Sequence, residues 1–345
     1  MDAFYVNVEL QRHPDLRGLP VVVAGSGPRA VVTTASYEAR RCGVFSATPA
    51  SRARRLCPDA VFVAPDFNAY RERSAEVMQV LKEQVDEIEV VGLDEAYLDL
   101  TGFERPKAAG RQIKAAVTGR TGLASSIGIG PNKLVAKVAS DADKPDGFLM
   151  LTAEEARARF GSASPRLVPG IGPKTVERLA SREINRLDQL GALPDERLAE
   201  WFGSRLGPHL ARLARFEDER VLDTARIRKS ESRETTFDQD LVGVTALEPV
   251  LERLAAELCL DLDRHARTGR TVGIKVRTND FQIHTRARTL PRPVSGLDDV
   301  LPVAKELLRA LDPARPVRLL GVRVAGMEGS APIARCEADQ LDLGV

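Results

Sequence analysis

Two adjacent carboxylates, Asp94 and Glu95, stand in the run GLDEAYLDLTG between two short segments with strand patterning, 88–91 and 96–100. Neighbours on a regular strand point to opposite faces, so both acids can serve one site only where a turn or bulge re-aims them. Gly92 is placed to supply that freedom. If a third carboxylate faced this pair, two divalent ions about 3.5 to 4 Å apart could be clamped, one activating an attacking oxygen and the other the leaving oxygen of a phosphoryl-type transfer. Magnesium suits such oxygen ligands, and manganese is a possible substitute. Alone, an Asp-Glu pair near a turn is equally ordinary surface chemistry.

Two further features bear on phosphate. In LVPGIGPKTVERL, the Gly170-Ile171-Gly172 turn between helical halves would expose backbone N–H groups at a helix start, with Lys174 adding charge. Such a turn can hold a nucleic-acid phosphate without reading sequence, although a plain helical turn is the alternative. From Arg264 to Arg292 there are eight basic residues, Arg264, Arg267, Arg270, Lys275, Arg277, Arg286, Arg288 and Arg292, against one acid, Asp280. This stretch is a candidate phosphate-binding face, weighed against a solvated strand surface.

The elements that would position these residues follow from periodicity. AFYVNVE alternates as a strand, 21–24 and 30–34 read as two more around the turn GSGPR, and YEARRCGV opens a helix that stops at glycine. A helix over 70–85 leads into the acidic hairpin; 107–117 is helical, 124–129 a strand and 132–139 a helix. Residues 153–225 are helical with Pro-Gly breaks. From Ser232 the order is strand, helix (247–264), two strands (271–278 and 284–289), helix (300–311), strand (317–324), a βαββαβ unit. With 345 residues, several folding units are expected. An apolar fraction of 43% with 29% charged residues and no long apolar run argue against a membrane span. The acidic N-terminus is unlike a secretory signal, which points to the cytoplasm. Four scattered cysteines without CxxC spacing suggest neither a zinc site nor a disulfide framework. A net charge of +1 argues against a dedicated nucleic-acid binder if taken as a sum, but its distribution matters more.

YEARRCGV, LDEAYLDLTG, SSIGIGPNKLVAKVASDADKPDG and LVPGIGPKT occur in the order found in Y-family DNA polymerases, the low-fidelity lesion-bypass class, and the chain resembles that family from residue 1 to about 330. The resemblance implies a multidomain α+β fold of right-hand type. Its parts would be an α+β palm (1–10 and 66–160), small fingers (11–65), a helical thumb with a helix-hairpin-helix turn (161–228), a βαββαβ little finger (229–327) and a flexible tail (328–345). It also implies roles. Asp94 and Glu95 would be catalytic metal ligands for two Mg²⁺ ions. Tyr5 resembles a steric gate against ribose 2′-hydroxyls, with a core aromatic as the alternative. Phe4, Thr34, Tyr37, Arg40 and Lys144 would contact the incoming deoxynucleoside triphosphate. Gly170, Gly172, Lys174, Arg277, Arg286 and Arg288 would contact primer-template DNA. In the tail, Gln340 and Leu343 resemble a sliding-clamp peptide, but Gly344 stands where a large apolar anchor is usual, so chance similarity competes on even terms.

The chain departs from the family at its first strand, which usually begins D-M-D. Asp2 matches the second aspartate, and the first, a ligand of both metals, has no counterpart. Either the start is assigned downstream of the natural one or the chain is a catalytically impaired DNA-binding accessory; an unrelated nucleotidyltransferase is the third reading. Gly92 stands where serine is common. A monomer is expected.

Overall fold

The computed structural model describes residues 1–225 and 227–327. The first elements in chain order are α1 (Phe4–Arg12), β1 (Val21–Ala24), β2 (Val32–Ala35), α2 (Tyr37–Arg41), α3 (Ala50–Leu56), β3 (Val61–Val63) and α4 (Phe67–Gln84). Next are β4 (Ile88–Val90), β5 (Ala96–Leu98), α5 (Pro106–Thr121), β6 (Ile127–Ile129), α6 (Lys133–Ala142) and β7 (Phe148–Met150). Five helices follow, α7 (Ala153–Phe160), α8 (Pro173–Ala180), α9 (Leu187–Gly191), α10 (Asp195–Phe202) and α11 (Leu206–Ala214). The chain continues through β8 (Ser230–Leu241), α12 (Val244–Arg264), β9 (Gly269–Thr278), β10 (Ile283–Val294), α13 (Leu297–Leu311) and β11 (Val317–Ala325).

Two compact units result. The first joins residues 1–8 to 72–224. It contains the antiparallel β4–β5 hairpin, the parallel pair β6–β7 and the helices from α5 to α11. Its core runs from Leu134, Val135 and Val138 on α6 to Leu179, Leu198, Leu210 and Phe216. Helix α6 lies so close to β6 that a Cβ at Gly128 would sit 2.1 Å from the Ala136 carbonyl oxygen and 2.2 Å from the Ser140 nitrogen. Gly128→Ala is therefore expected to cost at least about 1 to 3 kcal/mol, read as a lowered denaturant midpoint, because helix and strand must separate to admit the methyl.

The second unit joins residues 9–71 to the described residues from 225 onward. It holds a three-stranded sheet in the order β2-β1-β3 and a four-stranded sheet in the order β10-β9-β11-β8. In the larger sheet Val272, Ile274 and Val276 alternate inward and pack with Leu251, Leu258, Val300 and Leu308 of α12 and α13. The βαββαβ order is as periodicity indicates, because strands buried on one face keep a clean period of two.

The first segment is a correction. AFYVNVE is helical, not extended: Asn7 N–H donates to the Ala3 carbonyl at 2.9 Å, and α1 continues to Arg12. Phe4, Val6, Val8 and the charged Glu9 are all nearly fully buried, so buried positions are spread around the helix and its period is hidden in a short window. Helix α3 and strands β3 and β7 were also illegible, each being too short to show a period. Among the described residues no helix is long and apolar enough to cross a membrane.

Candidate active site

The acidic residues sit off the regular strands, in the connection between β4 and β5. Val91 and Gly92 N–H both donate to the Glu95 carbonyl, at 3.0 and 3.2 Å, and Ser74 Oγ donates to the Leu93 carbonyl at 2.6 Å. With Leu93 buried as an anchor, Asp94 and Glu95 both line one cleft of about 1140 Å³, shared with Tyr97, Ser126, Lys137 and Lys144. The re-aiming comes from this irregular connection and not from special freedom at Gly92. Gly92 is not among the positive-φ residues, and a Cβ there would make ordinary contact, 4.0 Å from Asp94 Oδ1. A serine would fit.

Burial holds the Asp94 carboxyl above its ordinary range; the Met1 amino group opposes this, the Glu95 charge adds to it, and Lys144 and Lys137 oppose it. Met1 lines the same cleft, and its amino group donates to the Asp94 carbonyl at 2.7 Å. Asp2 is fully engaged elsewhere. Its carboxylate accepts Ser126 Oγ at 2.8 and 2.9 Å and Asp146 N–H at 2.8 Å, so it serves to tie the chain start to β6 and the loop before β7. Among the described residues no three His, Cys, Asp or Glu gather closely enough to hold an ion by themselves. The donor set still fits magnesium, which is commonly held by one or two carboxylates with substrate phosphates and water completing the shell.

Tyr5 lies on α1 with its ring 5.6 Å from that of Phe4. Phe4 is buried, whereas Tyr5 is partly exposed, and burial together with the nearby Asp94 charge pushes its phenol up to about 12. Lys144 Nζ is 2.8 Å from Asp141.

In the second unit, Thr34 lies near the end of β2, and Tyr37 and Arg40 lie about one turn apart on α2. Ser36 caps α2 by accepting Ala39 N–H at 3.2 Å. The Arg40 guanidinium lies 4.8 Å from the Tyr37 ring centre and donates to the Ala35 carbonyl at 3.0 Å. Among the described residues its terminal nitrogens donate no hydrogen bond, which leaves them available for a planar anion.

The Gly170-Ile171-Gly172 turn is preceded by a single 3-10 turn (Pro165–Leu167), not a full helix. Gly170 has φ +95, a conformation that suits glycine alone, Gly172 caps α8, and Ile171 is buried beneath them while Lys174 is exposed. The C-terminal basic stretch does not form one face. Arg286 and Arg288 stand opposite Ile274 and Val272, on the side of the sheet that carries the helices, while Arg277 and Lys275 point to the other side. Acids outside the stretch also pair with it: Arg267 with Glu231 (3.0 Å), Lys275 with Glu234 (2.7 Å), Arg288 with Glu306 (2.5 Å) and Arg292 with Asp299 (3.1 Å). Gln340 and Leu343 lie outside the described residues.

Sequence reasoning passed over several residues. Lys133, nearly buried, binds Glu89 at 2.5 Å and the Val221 carbonyl at 3.2 Å, while Glu89 also accepts Asp223 N–H at 2.8 Å. These bonds hold the strap after α11, part of which lines the cleft. Lys137 hydrogen-bonds to Glu95 itself. The spacing Lys133, Lys137, Asp141, one face of a helix, was the available signal.

The sequence pattern of the impB/mucB/samB family matches residues 1–141, and that of the impB/mucB/samB family C-terminal domain matches residues 228–343. The chain belongs to this family. Within the impB/mucB/samB family it is 41% identical over 338 residues to DNA polymerase IV of Alkalilimnicola ehrlichii, covering 96% of this chain and 95% of that one. It is 38% identical to DNA polymerase IV 2 of Agrobacterium fabrum, covering 100% and 98%. Among solved structures it resembles a Y-family DNA polymerase chimera of Dbh and Dpo4, with TM-score 0.85, 27% identity and 95% and 97% coverage. An insertion ternary complex of Dbh DNA polymerase gives TM-score 0.67, 27% identity and 94% and 97% coverage. The α+β polymerase fold expected of the family is thus found, and neither the accessory-protein reading nor the unrelated nucleotidyltransferase reading has support among these relatives.

Proposed function

We propose that this protein is a template-directed DNA polymerase of low fidelity that extends primers past damaged template bases. The observation that carries the reading is the pair Asp94 and Glu95, turned into one wide cleft beside Lys137 and Lys144 by an irregular hairpin connection. Members of this family depend on divalent metal, and Asp94 and Glu95 would hold it here as Mg²⁺, with Mn²⁺ a substitute. Two such ions would lower the pKa of the primer 3′-hydroxyl and neutralise charge on the departing pyrophosphate. Phe4, Thr34, Tyr37, Arg40 and Lys144 would bind the deoxynucleoside triphosphate, Arg40 as a planar fork and Lys144 as a point charge. Gly170, Gly172 and Lys174 would hold a DNA phosphate through backbone N–H groups and charge. Arg277, Arg286 and Arg288 would add contacts from the little finger, on two sides of its sheet. The division into palm (1–10 and 66–160), fingers (11–65), thumb (161–228) and little finger (229–327) fits this assignment of roles. Gln340 and Leu343 would dock weakly on a sliding clamp, lacking an apolar anchor. The protein would act in the cytoplasm as a monomer.

The test is extension of a labelled primer on undamaged and abasic templates with Mg²⁺ or Mn²⁺. Incorporation opposite the abasic site is the expected result; tight primer-template binding with no extension under either ion, even after a carboxylate is supplied before Met1, overturns the reading. Tyr5→Ala is expected to raise ribonucleotide incorporation relative to deoxyribonucleotide by about a hundredfold, the scale of a lost steric rejection. Competition between dCTP and rCTP in the same assay measures it, and an unchanged ratio would return Tyr5 to a packing role.

A further inference from the structure

Glu95, Lys137, Asp141 and Lys144 form a line of alternating charge along one side of α6 and the loop that follows it. Lys137 hydrogen-bonds to Glu95 Oε1 and lies 3.3 Å from Asp141 Oδ2, while Lys144 lies 2.8 Å from the other oxygen, Asp141 Oδ1. One carboxylate is thus divided between two lysines. Burial alone would lower Lys137 and raise Asp141, yet pairing outweighs it in both. Glu95 and Asp141 hold Lys137 above its ordinary value, and Lys144 and Lys137 hold Asp141 below its own.

We propose that Asp141 is a positioning residue that sets how tightly Lys137 grips Glu95, and thereby how readily Glu95 accepts a divalent cation. An ammonium and a metal ion compete for the same carboxylate. By drawing Lys137 toward itself, Asp141 weakens the competitor. When Lys144 turns to a triphosphate, both oxygens of Asp141 become available to Lys137, which releases Glu95. Nucleotide arrival and cation loading are then linked through one aspartate. This last step rests on the polymerase reading above; the competition for Glu95 does not.

The test is Mn²⁺ binding to the full chain without DNA or nucleotide, followed by the electron paramagnetic resonance signal of the free ion. Lys137→Met, which keeps the aliphatic stem, is expected to bind Mn²⁺ about tenfold more tightly, as loss of a partly exposed competing charge implies. Asp141→Asn is expected to bind about threefold more weakly in the parent chain and to have no effect in the Lys137→Met background, because it acts through that lysine. Asp141→Glu should restore parental binding. Equal weakening by Asp141→Asn in both backgrounds would reduce Asp141 to a distant charge and overturn the proposal, as would absence of Mn²⁺ binding in every version. Primer extension is a separate readout, and its failure would count against the polymerase reading while leaving the order of Mn²⁺ affinities intact.

Discussion

Placing an aspartate before Met1 is expected to raise primer extension by about a hundredfold or more, the worth of a charged ligand supplying some 3 kcal/mol or more at a metal-dependent transition state. The geometry argues for this position. The Met1 nitrogen is 2.7 Å from the Asp94 carbonyl and Met1 lines the cleft, so a residue joined to that nitrogen begins beside the two carboxylates. Asp2 cannot substitute, because both of its oxygens are held by Ser126, and one also by the Asp146 N–H. Single-turnover extension of the two versions at equal protein and Mg²⁺ measures the effect. An asparagine in the same place is the control: it adds chain without charge and should recover little. Equal activity of the parent and aspartate versions would mean that two carboxylates and the substrate phosphates suffice.

Glu95→Ala, made in the aspartate-extended chain, is expected to remove extension by about a thousandfold or more, as for loss of a charge aimed at the reacting centre. Folding should barely change. The Glu95 side chain is 42% exposed and its ion pair with Lys137 is open to water, where such pairs contribute about 0 to 1 kcal/mol. Lys137 would not be orphaned, since Asp141 remains 3.3 Å away. Thermal unfolding and primer-template affinity run alongside the kinetic assay separate lost chemistry from lost structure. Persistent extension by the variant would move the catalytic role away from Glu95.

Much of this molecule was legible before its structure. Strand β9 and helices α12 and α13 each carry one buried side, and a one-sided element prints its period on the sequence. Helix α1 does not, because its buried residues Phe4, Val6, Val8 and Glu9 are not confined to one narrow stripe, and its five alternating residues imitate a strand. The bend at Asp94 and Glu95 was placed correctly but for the wrong reason: hydrogen bonds from Val91, Gly92 and Ser74 shape it, and Gly92 has an ordinary φ.

The sequence by itself determined which side chains could do chemistry: the acidic pair in the hairpin, the aromatic pair Phe4 and Tyr5, the Tyr37 and Arg40 spacing on α2, and the glycine turn before α8. Only the tertiary structure decided how those charges are spent. It committed Asp2 to a backbone N–H 144 residues away, set Lys137 on a carboxylate 42 residues away, and divided the C-terminal arginines between two sides of a sheet where acids from other elements meet them. Local spacing fixes the face on which a side chain leaves its own helix or strand. The partner that neutralises it is set by which other element is packed there, and that depends on burial of apolar surface across the whole unit, a quantity no local window contains.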